Sequence, residues 1–322
     1  MIRRVKVSRK IGLILLSMIL LGLFLLSLFV GVYDLTQSQT AWKMLLITRL
    51  PRTLALVLTG ASMALSGYIM QLLTQNRFVE PTTMGTMEWA GLGLILAYII
   101  KPAAPLVFKM SLCIGFSIMG SLVFLRLVRH LRFKQSVLLP LVGILSGAVI
   151  SAFSNFLALQ FNLSQMLEVW FTASFASVQQ GRYEYLWLII GIVIIFYKLA
   201  DELTIAGLGE EIASNLGVDY TKITFIGVFL VSVSVGIVAA VVGYLPFIGL
   251  IIPNIVAIFW GDHLKHNLPF ILILGMICLL ACDLLARWLI MPFEVPVSTI
   301  LAMVGSMTFI ALLYIQRKKG LR

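Results

Sequence analysis

The sequence predicts an all-α, polytopic membrane protein, because 61% of its 322 residues are hydrophobic, only 11% are charged and the mean hydropathy is +1.06. A soluble domain carries about 25% charged residues, since its surface must face water. A 35.7 kDa chain of this composition has too few charges to coat a globule. The apolar residues also fall in continuous runs, such as 11–30 and 186–197, and do not alternate. A bilayer-spanning helix needs roughly 20 mostly apolar residues. Lipid leaves no backbone group unpaired, so only helices or a closed barrel can span it, and unbroken runs select helices.

Reading along the chain gives about ten helical segments, at 11–33, 53–75, 84–100, 106–126, 137–160, 185–200, 223–243, 246–260, 268–290 and 297–315. The first follows a basic tail (Arg3, Arg4, Lys6, Arg9, Lys10) like that of a secretory signal. Its apolar stretch is longer than the 7–15 residues of a signal core, and no small-x-small cleavage site ends it, so it reads as a retained span. The eighth is short and contains Pro253, which suits a broken or tilted span covered by neighbouring helices. Cys113, Cys278 and Cys282 lie inside apolar runs without metal-ligand spacing and read as packing residues. Gly143, Gly147, Ser151 and Asn155 recur every four residues, as do Gly60 and Ala64, a spacing that permits close helix approach in lipid. No internal repeat is evident. The whole chain, 1–322, reads as one transmembrane domain.

Orientation follows from the cations, since cytoplasmic loops collect Lys and Arg. With both termini in the cytoplasm, the N-terminal tail, Arg77, Arg126, Arg129, Arg132, Lys134, Lys198, Lys222, Lys265, Arg317, Lys318, Lys319 and Arg322 all face inward. That arrangement accounts for seventeen of the 24 Lys and Arg residues. The net charge of +11 is thus met by anionic lipid, and no nucleic-acid partner is expected.

Chemistry is sparse. No G-x-x-x-x-G-K-[ST] phosphate loop occurs, so no ATPase site of that kind is expected in this chain. Ion-coupled carriers keep ionisable groups in their spans, and the candidates here are Glu88 and the pair Asp283 and Arg287, four apart on one helix face. Asp283 and Arg287 can satisfy one another. Asp262, His263 and His266 have metal-like spacing but read as a solvated loop, so neither a metal nor a cofactor is expected. The longest inside loop, 201–222, carries Glu210 and Glu211 after Gly209, then a helix-favouring stretch that ends at Gly217. Acids in a first turn and a glycine past the last are start and stop signals, which predicts a short amphipathic helix outside the membrane. A partner could grip it, or it could be a capped connector.

Several blocks recur in a recognisable order. Arg49-Leu50-Pro51-Arg52 precedes Leu58-Thr59-Gly60-Ala61, Leu65-Ser66-Gly67 and Gln71. Asn76-Arg77-Phe78-Val79-Glu80-Pro81 follows, then Gly209-Glu210-Glu211 through Leu216-Gly217-Val218, then Phe247-Ile248-Gly249-Leu250-Ile251-Ile252-Pro253-Asn254. Gly261-Asp262-His263, Leu268-Pro269, Asp283-Leu284-Leu285-Ala286-Arg287 and Glu294-Val295-Pro296-Val297 complete the series. In these blocks the chain resembles the permease subunits of type II ABC importers for iron–siderophore complexes, haem and vitamin B12. It departs from them at Arg77 (usually Pro), Asn254 (usually His), Ser298 (usually Gly) and Met307 (usually Pro).

The resemblance implies a transport subunit, not an enzyme, that pairs with a second permease copy or paralogue in a bacterial cytoplasmic membrane. ATP-binding subunits would dock on the cytoplasmic side and a substrate-binding protein on the other. Gly209, Glu210, Glu211, Leu216 and Gly217 match the ATPase-coupling segment, and Arg49 and Arg52 the binding-protein docking arginines, with Arg287 expected near the same docking face. An iron(III)–siderophore complex is the expected cargo, with haem or cobalamin as alternatives. An ion-coupled secondary transporter and a membrane-embedded enzyme are the rivals from other classes.

Overall fold

The computed structural model describes residues 9–30, 41–131, 138–261 and 263–320, and among these no β-strand occurs. The helices are α1 (Arg9–Phe29), α2 (Ala41–Met44), α3 (Leu50–Leu73), α4 (Thr86–Ile100), α5 (Leu106–Leu131), α6 (Leu138–Gln160) and α7 (Ser164–Phe171). There follow α8 (Leu188–Lys198), α9 (Ala200–Ala206), α10 (Glu210–Asn215), α11 (Tyr220–Val241), α12 (Ile248–Trp260), α13 (Leu264–Trp288) and α14 (Val297–Gly320). A π-helical turn, Leu45–Arg49, joins α2 to α3 without a break, so Arg49 and Arg52 sit within a helix that begins earlier than the sequence suggests. Among the described residues six helices are long and apolar enough to cross a bilayer, and Thr86–Ile100, Ile248–Trp260 and Val297–Ala311 are shorter apolar helices. The protein is therefore a polytopic, all-helical membrane protein; nine of the ten sequence-predicted segments overlap these nine helices, and the sixth, 185–200, holds only the 11-residue α8.

Three of the ten are short: α8 at 11 residues, α12 at 13 and α4 at 15. At 1.5 Å per residue, α4 and α12 reach about 20–22 Å, well under the roughly 30 Å of bilayer hydrocarbon. Each is preceded by irregular chain folded back into the bundle, 74–85 before α4 and 242–247 before α12. The first of these was expected to be a cytoplasmic loop, yet residues 78–87 are all buried. Irregular backbone at such depth survives only where protein covers it and satisfies its polar groups. Asn76 Oδ1 accepts the Phe78 amide at 2.9 Å, and Thr83 Oγ1 accepts the Glu80 amide at 2.9 Å. The Glu80 carboxylate accepts Thr82 Oγ1 at 2.5 Å and the Phe247 amide at 2.9 Å, which places an acid at the N-terminus of α12. That end of a helix presents unpaired amides and favours negative charge.

A repeat that is not evident in the sequence is visible in space. The order long, short, long, long occurs in α3–α6 and again in α11–α14. α3 packs on α13 as α5 packs on α11, and α3 meets α12 as α11 meets α4. The second unit starts where α3 ends, so the two run in opposite directions, the inverted arrangement common in transporters.

Close packing along α3 sets the core. A side chain at Gly60 would overlap the Gly275 carbonyl, and one at Gly67 would overlap the backbone of Gly249. The Gly60–Ala64 seam read from the sequence is therefore the contact with α13. The other small-residue stripe is half correct. Gly143 and Gly147 lie against residues 83–85, but beyond them the buried face of α6 continues through Ser154 and Ala158, while Asn155 is exposed and bonds to the Ser151 carbonyl. The three cysteines are free thiols, with Cys113 and Cys282 buried among apolar neighbours.

Gly67→Ala is expected to destabilise the protein by at least about 1–3 kcal/mol, because the added methyl must push two backbones apart. Gly115→Ala, where a methyl meets open space, is expected to be neutral or slightly stabilising. Thermal unfolding of the two purified variants in one detergent compares them directly.

Candidate functional site

Two polar regions at opposite ends of the bundle hold the residues singled out in the sequence. The first surrounds α9 and α10. Gln75 Nε2, just past the end of α3, donates to the Gly207 carbonyl at 3.3 Å, and Thr204 Oγ1 accepts the Leu264 amide at 3.3 Å. Lys265 pairs with Asp201 at 2.5 Å on the surface. These contacts tie the connector to α3 and α13.

The helix itself is shorter than the expected 209–217, at six residues. Gly209 precedes it with φ +105° and Gly217 follows it with φ +80°, backbone conformations that residues with a Cβ adopt poorly. The Val218 amide bonds to the Ala213 carbonyl at 3.0 Å and the Gly217 amide to that of Ser214 at 3.0 Å, a Schellman stop that depends on the glycine. Asp219 Oδ1 then caps α11 through the Lys222 amide at 3.0 Å. Ala213 faces inward while Glu210 and Glu211 are exposed. Leu208, Ile212 and Leu216, just before, within and at the end of α10, are exposed apolar side chains. Leu216 was singled out in the sequence, and apolar residues at four-residue intervals within a polar loop are the signal that would have found the other two.

The second region lies at the far end of α3. Asp283 is fully buried and its carboxylate holds two arginines: Arg52 Nη2 at 2.7 Å on one oxygen and Arg287 on the other. Arg52 also reaches Glu294 Oε2 at 2.9 Å. Arg287 donates to the carbonyls of Ser27 at 3.0 Å and Val30 at 2.9 Å, and to Ser27 Oγ at 3.0 Å. Arg49 donates to the Leu28 and Phe29 carbonyls, both at 3.0 Å. The two arginines thereby serve the last carbonyls of α1, which have no partner within their own helix, and cations are favoured at that terminus. The expected pairing of Asp283 with Arg287 is present. Arg287 as a surface docking residue needs correction: its side chain is 5% exposed and its contacts are internal, so its charge is committed to Asp283 and α1.

Residues 13–315 match the FecCD transport family. The chain belongs to that family. The petrobactin import system permease protein FatD of Bacillus anthracis is 52% identical over 90% of this chain and 87% of its own length. The ferric-anguibactin transport system permease protein FatD of Vibrio anguillarum is 38% identical over 86% of this chain and 88% of its own. A solved structure described as a metal-chelate type ABC transporter in an inward-facing conformation superposes with a TM-score of 0.81 at 25% identity, covering 94% of this chain and 98% of that one.

Of the four positions at which the sequence departs from the resembled motifs, two meet. Asn254 Nδ2 donates to the Arg77 carbonyl at 2.9 Å and to that of Leu250 at 2.8 Å, which secures α12 against the buried turn. Ser298 Oγ reaches the Thr172 carbonyl at 2.6 Å, whereas Met307 is exposed. Glu88 is bonded by the Tyr244 hydroxyl at 3.2 Å. His263 and His266 contact one another at 3.0 Å, and Asp262 lies outside the described residues, as do the basic residues of the N-terminal tail before Arg9.

Asp283→Asn is expected to cost about 3–5 kcal/mol, since removing one partner of a buried ion pair strands the other charge. Here Arg287 would lose its carboxylate partner and Arg52 would keep only Glu294. Lys265→Ala, which breaks only an exposed pair, is expected to leave the unfolding temperature unchanged. Both are read by thermal unfolding and by yield of monodisperse protein.

Proposed function

We infer that this chain is the membrane-spanning subunit of an ATP-driven importer that carries an iron(III)–siderophore complex across a bacterial cytoplasmic membrane. Family membership supports the transport role. The cargo rests on one observation, the 52% identity over 90% of the chain to a petrobactin permease. Petrobactin and anguibactin are both siderophores, so relatives from two different bacteria support the same cargo class ahead of haem or cobalamin.

The reading includes ten spans with both termini cytoplasmic, supported by the distribution of basic residues. Two such subunits, identical or paralogous, would form a pore of about twenty spans, flanked by lipid. An extracytoplasmic binding protein would dock near Arg49 and Arg52, steered by charge. Arg287 then acts from beneath, by holding α1 in place. This subunit brings no ATPase site of its own. Two ATP-binding subunits would grip α10, with Leu208, Ile212 and Leu216 seated in an apolar cleft and Glu210 and Glu211 at its rim. The tight glycine boundaries of α10, and the ties of the preceding α9 connector to α3 and α13, support this role, because a lever must be fixed to what it moves.

Glu210→Arg combined with Gly217→Val tests the coupling. If the loop is only a connector, loss of Glu210 weakens a first-turn helix contact by about 0.3–1 kcal/mol and transport continues. If α10 transmits ATPase closure, the wrong charge and the broken Schellman stop abolish both cargo uptake and cargo-stimulated ATP hydrolysis. Membrane abundance is expected to stay unchanged. Normal uptake at equal abundance would remove α10 from the mechanism.

A further inference from the structure

At the end of the bundle opposite α10, a cavity of about 420 Å³ opens between the last turn of α4, the first turn of α5, α7, the 174–182 segment and the end of α11. Its volume lies within the roughly 300–1,000 Å³ range of small-ligand pockets. Two cations line it, Lys109 from α5 and Arg182 from the irregular segment. Lys109 Nζ lies 3.8 Å from the centre of the Tyr98 ring, and the Nε of Arg182 is buried with no hydrogen-bond partner. Neither cation forms an ion pair among the described residues. The acids nearest Arg182 in sequence, Glu168 and Glu184, are exposed, and the one nearest Lys109, Glu88, accepts the Tyr244 hydroxyl at 3.2 Å; none of the three lines the cavity, and Glu184 accepts the Gly181 amide at 2.8 Å. Trp170 spends its indole donor on the Ala239 carbonyl at 2.8 Å and presents its apolar ring surface to the space.

Two like charges beside one partly closed cavity repel each other, and a guanidinium donor left unpaired in a buried position is costly. Both costs disappear when an oxyanion sits between them, since charge-assisted hydrogen bonds from Arg and Lys are the strong ones. Apolar wall residues such as Leu94 and Met166 suit an anion attached to a hydrocarbon body. We propose that this cavity is a binding site for an oxyanion of the phosphate class, held by Lys109 and Arg182 and supplied either by the headgroup of an anionic lipid or by free phosphate. The site is separate from the α10 face and from the Asp283 cluster, so its fate is independent of the transport reading.

The test uses the full chain purified in mild detergent. Phosphatidylglycerol and phosphatidylcholine are offered in turn, and retained lipid is counted by native mass spectrometry. Inorganic phosphate is compared with chloride at equal ionic strength by shift in unfolding temperature. The wild type is expected to retain phosphatidylglycerol over phosphatidylcholine, or to be stabilised by phosphate over chloride. The first result identifies a lipid source and the second a free anion. Lys109→Gln with Arg182→Gln is expected to weaken the responding probe by about tenfold or more, given two lost charge-assisted contacts. Lys109→Arg with Arg182→Lys keeps both charges and is expected to retain it. Equal responses from the wild type and the glutamine variant overturn the proposal. So does a wild type indifferent to both probes, an outcome that needs no variant to fold.

Discussion

Where α3 crosses α13 and α12, backbone meets backbone. Gly60 lies on Gly275 and Gly67 on Gly249, with no side chain between them. In lipid there is little hydrophobic drive between helices, so association depends on such close approach and on the polar contacts it permits. This seam fixes the positions of the other polar features. It brings Arg52 beside Asp283 at one end, sets the 74–85 turn under α12 so that Glu80 reaches the Phe247 amide, and holds Gln75 near Gly207 at the other end. A shift of α3 along α13 would therefore disturb both ends of the bundle at once.

The buried charges follow from that geometry. Asp283 lies in a protein interior surrounded by lipid, and the penalty of taking it from water is offset only because two guanidiniums converge on it. One of those guanidiniums goes on to cap α1, a helix whose apolar surface is mostly exposed and which has few other anchors. Sequence inspection treats cations near span ends as free for partners. Here most of that capacity is used within the chain, and Arg49 and Arg52 face outward only in part.

The spans were legible because continuous apolar runs directly report lipid or buried surroundings. The glycine seam at Gly60 and Ala64 and the boundaries of the α10 region were legible because small residues and αL glycines have few other uses. Depth was not legible. Hydropathy cannot tell that Thr82, Thr83 and Glu80 are buried in a re-entrant turn and not solvated in a loop, since polar residues satisfied by their own backbone look the same in sequence. The inverted repeat was hidden for a related reason: its two halves share helix lengths and contacts but not residue patterns. The α6 stripe failed beyond Gly147, where the buried face moves from Ser151 and Asn155 to Ser154 and Ala158.

An inverted-repeat membrane bundle with an exposed helix at one end, reached through a connector tied to α3 and α13, suits a machine driven from that end. The central claim is that ATP hydrolysis by a partner powers movement of the cargo through this FecCD subunit, in contrast to an ion gradient acting on residues within the spans. Proteoliposomes that hold this chain together with its ATPase partner and binding protein test it most directly, with uptake of a radiolabelled iron(III)–siderophore as the readout. The account predicts accumulation only when ATP is supplied on the side bearing α10, and no loss of accumulation when ionophores collapse proton and sodium gradients. Accumulation without ATP that disappears with the ionophores would contradict it.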